Sequence, residues 1–162
     1  MSDVILSAKG LCKSFASDGE QNHVLSDVNI DIYEKDFTVV MGVSGSGKST
    51  LLYCLSGMET VTSCKLVYKG NTSSGYKENQ LVALRRGDFG FIFQQIHLVS
   101  NLTLLENIAV PGYLNKSVSG TQVNKKADAL ITSFGLTDAK NRLPNQTSGG
   151  EQQRAAIARA LI

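Results

Sequence analysis

Residues 42–50 read Gly-Val-Ser-Gly-Ser-Gly-Lys-Ser-Thr, and no other stretch restricts the possible folds as strongly. Gly42, Gly45 and Gly47 can take backbone angles that side chains forbid, so successive N–H groups can converge on one point. The apolar run Thr38-Val39-Val40-Met41 ahead of the loop predicts a buried strand, and Leu51, Leu52 and Leu55 behind it fall at helical spacing. Strand, glycine loop and helix in that order make a phosphate cradle, because the helix N-terminus adds free N–H donors and the positive end of its dipole. In such a cradle Lys48 reaches the β- and γ-phosphates and the Ser49 hydroxyl takes Mg²⁺. The competing reading is an ordinary glycine-rich turn before a helix, and the flanking patterns weigh against it.

Composition limits what surrounds this loop. A chain of 162 residues, 42% of them apolar, is enough for one domain with a core. The net charge is +2 and no long basic run is present, so nothing calls for nucleic acid as a partner. The three cysteines, Cys12, Cys54 and Cys64, are odd in number and lack metal-site spacing; they fit structural thiols in a reducing cytosol. No apolar run is long enough to span a bilayer and no signal-peptide pattern opens the chain, so any membrane role would come through a partner.

In chain order, residues 4–6 and 24–33 read as strands; Val28, Ile30 and Ile32 alternate as in a sheet with one wet face. Residues 15–22 read as a polar hairpin loop containing Asp18-Gly19. Phe15 in it is either a packing residue or a ring that stacks on adenine. Residues 60–64 form a loop, 65–69 a short strand ending at Gly70-Asn71, and 78–86 a helix with Leu81 and Leu84 inward. The apolar run 90–93 predicts a strand ending at Gln94-Gln95. Polar residues just past a buried strand of an α/β sheet sit where ligands bind, although they also serve simply to satisfy loop backbone.

Thr103 and Glu106 make a capping box for a helix over 103–110, which Pro111-Gly112 is expected to stop. Val123, Ala127, Leu130, Ile131 and Phe134 line one face of a second helix over 121–134, ended by Gly135. Residues 98–142 thus read as a helical insertion without a strand. The stretch Ser148-Gly149-Gly150-Glu151-Gln152-Gln153-Arg154 then opens a helix that runs to Ile162. Ser148 and Glu151 form a capping box, but the box does not explain two glycines at a helix start, which cost stability. They make sense where another backbone, or a second phosphate, must come close.

Taken together, these stretches resemble the ATP-binding subunit of an ABC transporter, along nearly the whole chain from Val4 to Ile162. Residues 42–50 match the Walker A loop, Gln94 the Q-loop, residues 147–154 the family signature with Thr147 where Leu is usual, and Phe15 the aromatic position that stacks on adenine. Gly-Phe-Ile-Phe-Gln, Leu-Thr-Leu-Leu-Glu-Asn-Ile at 102–108 and Arg142-Leu143-Pro144 are similar to the group paired with FtsX- or MacB-type permeases. The resemblance implies an α/β fold: a P-loop NTPase core sheet, an N-terminal antiparallel β subdomain and an inserted helical subdomain over about 98–145, within one domain over 1–162.

It also implies a function, the coupling of ATP binding and hydrolysis to a membrane permease that exports a peptide, lipoprotein or drug. An FtsE-like regulatory ATPase or a non-catalytic nucleotide-binding remnant are the alternatives. ATP would be held by Phe15, Gly42, Ser44, Gly45, Ser46, Gly47, Lys48, Ser49 and Thr50, and Mg²⁺ by Ser49 and Gln94. Gln94 and Lys48 are the catalytic candidates. Ser148, Gly149, Gly150, Glu151 and Gln152 would contact the ATP held by a second subunit in a homodimer. The implied location is peripheral, on the cytoplasmic face of the cell membrane. The family's next segments, an aliphatic Walker B strand ending in Asp-Glu and a switch His, have no match in these residues, so the expectation is an incomplete domain that is inactive alone. The absent strand would leave 38–41 as an unpaired apolar edge. Where the family has Gly, Cys64 would be strained if the backbone there takes a positive φ.

Overall fold

The computed structural model describes residues 3–17, 19–72, 76–115 and 117–162. The chain divides into two units, Met1–Ala83 and Leu84–Ile162.

The first unit is built on a four-stranded antiparallel sheet in the order β2-β1-β3-β4, with β1 Val4–Ser17, β2 Glu20–Tyr33, β3 Ser63–Tyr68 and β4 Asn71–Thr72. Strand β1 is central, paired with β2 on one side and β3 on the other. Leu6 and Ala8 lie opposite Tyr68 and Leu66, so these four buried side chains share one face. Helix α1, Lys48–Leu55, buries Leu51, Cys54 and Leu55. Lys69 and Gly70, both at positive φ (46° and 76°), form the two-residue turn from β3 to β4. Cys64 lies within β3 and is not among the positive-φ residues, so the backbone strain considered for it does not arise.

Two sequence expectations are corrected here. The loop expected over 15–22 is mostly strand: Phe15 pairs with Asn22, Ala16 with Gln21 and Ser17 with Glu20. Ladder hydrogen bonds hold these residues extended although Phe15, Ala16, Gln21 and Asn22 are exposed; Asp18, assigned to the loop, lies outside the described residues. The buried strand expected over 38–41 has no ladder partner among the described residues, and it is largely exposed: Val39 is 59% and Met41 86% accessible. An apolar run becomes a strand only where another strand accepts its hydrogen bonds.

Helix α2, Glu78–Asp88, leads into the second unit and buries no residue fully; Leu81 and Leu84 are half-buried. Helices α3 Leu104–Tyr113, α4 Gly120–Ser133 and α5 Gly149–Ala160 follow, with single 3₁₀ turns at Thr137–Ala139 and Pro144–Gln146. Their shared core contains Leu104, Ile108, Val123, Ala127, Ile131, Leu136, Ala155 and Ala158, with Leu130 and Phe134 packed against it. The expected face of α4 is therefore the buried one, and Gly135 ends that helix at φ 62°.

Pro111 does not stop α3 as expected; the helix continues to Tyr113. A proline in the last turn forfeits one hydrogen bond while its fixed φ still suits a helix. The strand expected over 90–93 is also corrected. Phe89, Phe91 and Phe93 stack in a row at 6.4 and 6.0 Å, yet no ladder forms among the described residues. Instead the segment lies against the end of α5: a Cβ on Gly90 would collide with the Ala160 carbonyl oxygen.

Candidate functional site

The glycine loop runs directly into α1. Gly47 is the N-cap, at φ 84°, and offers no side chain to the helix, whose first turn carries no acidic residue. The N–H donors of that turn therefore have no side-chain cap and form the positive end of the helix dipole. Gly47 cannot be replaced without strain. Besides its left-handed φ, a Cβ there would meet Leu25 Cδ2 at 3.1 Å and the Val24 carbonyl oxygen at 3.2 Å. Gly45 is also left-handed, at φ 78°.

Lys48 folds back over the loop. Its ammonium donates to the Val43 carbonyl at 2.7 Å and the Gly42 carbonyl at 3.0 Å, and lies 3.4 Å from Ser46 Oγ. An ammonium has three donors, and the third is held only by this long contact. It is the one most easily exchanged for an anionic oxygen. Ser44 and Ser46 are exposed, as is Ser49, and Thr50 is half-buried one residue further along α1.

Phe15 is placed near this loop by the sheet. Gly47 abuts Val24 on β2; Phe15 on β1 pairs with Asn22, two residues from Val24. Two residues along and one strand across amounts to roughly 8 Å between backbones. The ring is 39% accessible. One neighbour was not anticipated from sequence: the ammonium of Lys13 sits 4.5 Å from the ring centroid. Lys13 is only 7% accessible and is anchored by Glu59 Oε1 at 2.8 Å and the Thr60 carbonyl at 2.7 Å. That hydrogen bond from Lys13 holds the Glu59 carboxyl below its ordinary pKa. The spacing of Lys13 and Phe15, two apart on one strand, was the available signal.

Gln94 and the 148–152 stretch belong to the second unit. Gln94 is exposed just past residues 90–93. Ser148 caps α5 through a complete capping box. Its Oγ accepts from the Glu151 N–H at 3.3 Å, while Glu151 Oε2 accepts from the Ser148 N–H and hydroxyl, both at 2.7 Å. The backbone N–H and then the hydroxyl of Ser148 depress the Glu151 pKa. Gln152 turns inward, donating to the Pro144 carbonyl at 2.8 Å and the Thr147 carbonyl at 3.2 Å. The two glycines have no internal justification: a Cβ on Gly149 would meet nothing within 4 Å, and one on Gly150 only Arg154 Nη1 at 3.6 Å. Their openness faces outward.

Among the described residues no three His, Cys, Asp or Glu side chains gather closely enough to hold a metal ion. Ser49 supplies a single hard oxygen, which suits Mg²⁺ only where phosphate oxygens and waters complete the shell. No helix among the described residues is long and apolar enough to cross a membrane.

A family model described as ABC transporter matches residues 25–162. The lipoprotein-releasing system ATP-binding protein LolD of Wigglesworthia glossinidia brevipalpis is 38% identical over 159 residues, which cover 98% of this chain and 69% of that protein. The macrolide export ATP-binding/permease protein MacB of Vibrio parahaemolyticus is 39% identical over all 162 residues, a quarter (25%) of its length. Among solved structures, the dimeric ATP-binding cassette MJ0796, in a post-hydrolysis state bound to ADP and Pi, matches with a TM-score of 0.87 at 35% identity. That match covers 96% of this chain and 68% of that one.

Proposed function

The chain belongs to the ABC transporter family, as one of its ATP-binding subunits, and on that footing we propose that it binds Mg·ATP at residues 42–50 and couples it to a membrane permease. The observation that carries this reading is the loop itself: an uncapped helix N-terminus and a lysine fixed to two loop carbonyls with its third donor loosely held. Gly42, Ser44, Gly45, Ser46, Gly47 and Thr50 shape the cradle, Lys48 neutralises the β- and γ-phosphates, and Ser49 lends its hydroxyl to Mg²⁺. Bound Mg²⁺ offsets phosphate charge. Phe15 stacks on adenine, and Gln94 senses the phosphate and metal.

The outward openness of Gly149 and Gly150 supports a second role. In a homodimer, residues 148–152 meet the ATP of the other subunit; Ser148 and the two glycines come close, while Glu151 and Gln152 act by fixing the turn. The dimeric state of the cassette MJ0796 is in keeping with this. Likeness to LolD and MacB supports an export-type permease, with peptide, lipoprotein or drug as cargo, and a peripheral place on the cytoplasmic face of the membrane. We place the helical subdomain at about 98–145 within a single ATP-binding domain.

The test is equilibrium binding of ATP with Mg²⁺ to this polypeptide and to Lys48→Ala. Removing the charge is expected to weaken binding at least about tenfold, the equivalent of one charge-assisted hydrogen bond. Equal affinities would overturn the phosphate assignment. The 162 residues contain no aliphatic strand ending in paired acids, so for this polypeptide the proposal stops at binding, with turnover no higher than that of the variant.

A further inference from the structure

We propose that Lys13, anchored by Glu59, is a positioning residue for the nucleotide base: it backs the Phe15 ring with a fixed positive charge and so favours a purine on the ring's open face. The inference rests on the reading of residues 42–50 as a nucleoside-triphosphate site.

Burying an ammonium is costly unless it is paired, so a lysine with this little exposure needs its partners. Glu59 and the Thr60 carbonyl take two of its three donors, at 2.8 and 2.7 Å. These bonds hold the ammonium at one point, 4.5 Å from the ring centroid, well inside cation–π range. Two consequences follow for the ring. One face is taken, so a base can stack only on the other. The cation also draws π density toward itself, leaving the open face poorer in electrons. Such a face stacks best on a large, electron-rich heterocycle, which favours a purine over a pyrimidine. The anchors come from residues 59–60, just beyond α1, so the platform and the phosphate loop are joined through one helix.

The experiment measures binding of ATP, CTP and inorganic tripolyphosphate, with Mg²⁺, to the full chain, to Lys13→Met, to Lys13→Arg and to Glu59→Gln. Methionine keeps the buried stem and removes the charge, while Glu59 stays partly in water. Folding of each variant is checked by circular dichroism. Lys13→Met is expected to weaken ATP three- to tenfold or so, to narrow the ATP-over-CTP preference, and to leave tripolyphosphate unchanged. Glu59→Gln should move in the same direction by less, and Lys13→Arg should restore the preference. Loss of ATP and tripolyphosphate in equal proportion, or an unchanged ATP-over-CTP ratio in Lys13→Met, overturns the positioning role while leaving the phosphate site standing. A parent chain that binds neither ATP nor tripolyphosphate overturns both.

Discussion

At the scale of single residues, the second unit has two carboxylates whose capping bonds favour the ionised form. Glu106 accepts from the Thr103 N–H and hydroxyl at 2.7 and 2.8 Å, and Glu151 makes the equivalent pair of bonds to Ser148. The backbone bond first, and then the hydroxyl, lower both pKa values. A carboxyl whose folded pKa lies below its unfolded value, about 4.3, adds stability above that value and loses it as pH falls through the folded one. Stability is therefore expected to decline below about pH 4. Glu106→Gln/Glu151→Gln keeps both capping boxes, since Gln serves equally at that position, and should flatten the acid limb of a urea-midpoint-versus-pH curve. An unaltered limb would show that other groups set it; Asp31, depressed by its hydrogen bonds from Lys9 and then Ser7, would be the next to test.

At the scale of elements, what was legible in the sequence was whatever is decided within a few residues. The capping boxes at Thr103 and Ser148 and the buried face of α4 could be read directly, because one helix turn contains all their partners. The box of Ser119 with Gln122, which opens α4, carries the same signal. What could not be read was pairing. The runs 38–41 and 90–93 have strand composition, but a ladder depends on a strand elsewhere in the chain, and neither run has one among the described residues. The hairpin departs in the opposite direction: Phe15, Ala16 and Ser17 pair with Asn22, Gln21 and Glu20 because β1 and β2 continue past their apolar parts. Of the site, the phosphate loop was visible as a pattern, while the Lys13–Glu59 support of Phe15 was not, since those anchors come from 46 residues away. Hydrogen exchange separates these cases. Amides of residues 38–41 are expected to exchange near the unprotected rate, while those of Leu6 to Ala8, in a strand paired on both sides, are protected. Protection across 38–41 would reveal a pairing that the described residues do not contain.

At the scale of the whole molecule, the division into two units has a physical basis in the second unit's core. Every member of its hydrophobic cluster, and every partly buried side chain packed against it, lies between Leu98 and Ile162. Asn107, 1% accessible, ties the approach to α3 from within the same unit: its amide nitrogen donates to the Val99, Leu102 and Thr103 carbonyls, and its Oδ1 accepts from the Val99 N–H. Arg159 likewise donates to the His97 carbonyl. Among the described residues that cluster draws on the second unit alone, so a polypeptide of residues 84–162 is expected to fold by itself. At this size a core is only just sufficient, which makes the test demanding. Circular dichroism should show helix that melts cooperatively in urea, with the midpoint lowered by Asn107→Ala. That substitution removes the side-chain partners of the Val99 N–H and the Leu102 carbonyl, while the Val99 and Thr103 carbonyls keep backbone donors, and should cost about 2–3 kcal/mol. Helix that fades without a transition would mean that the first unit completes the core. Independent folding would matter for the proposed dimer, because the Ser148 cap and the open glycines behind it would then be set before any nucleotide arrives. The donors meant for another subunit's phosphate would need no ordering at the moment of closure, and less of the binding free energy would be lost to entropy.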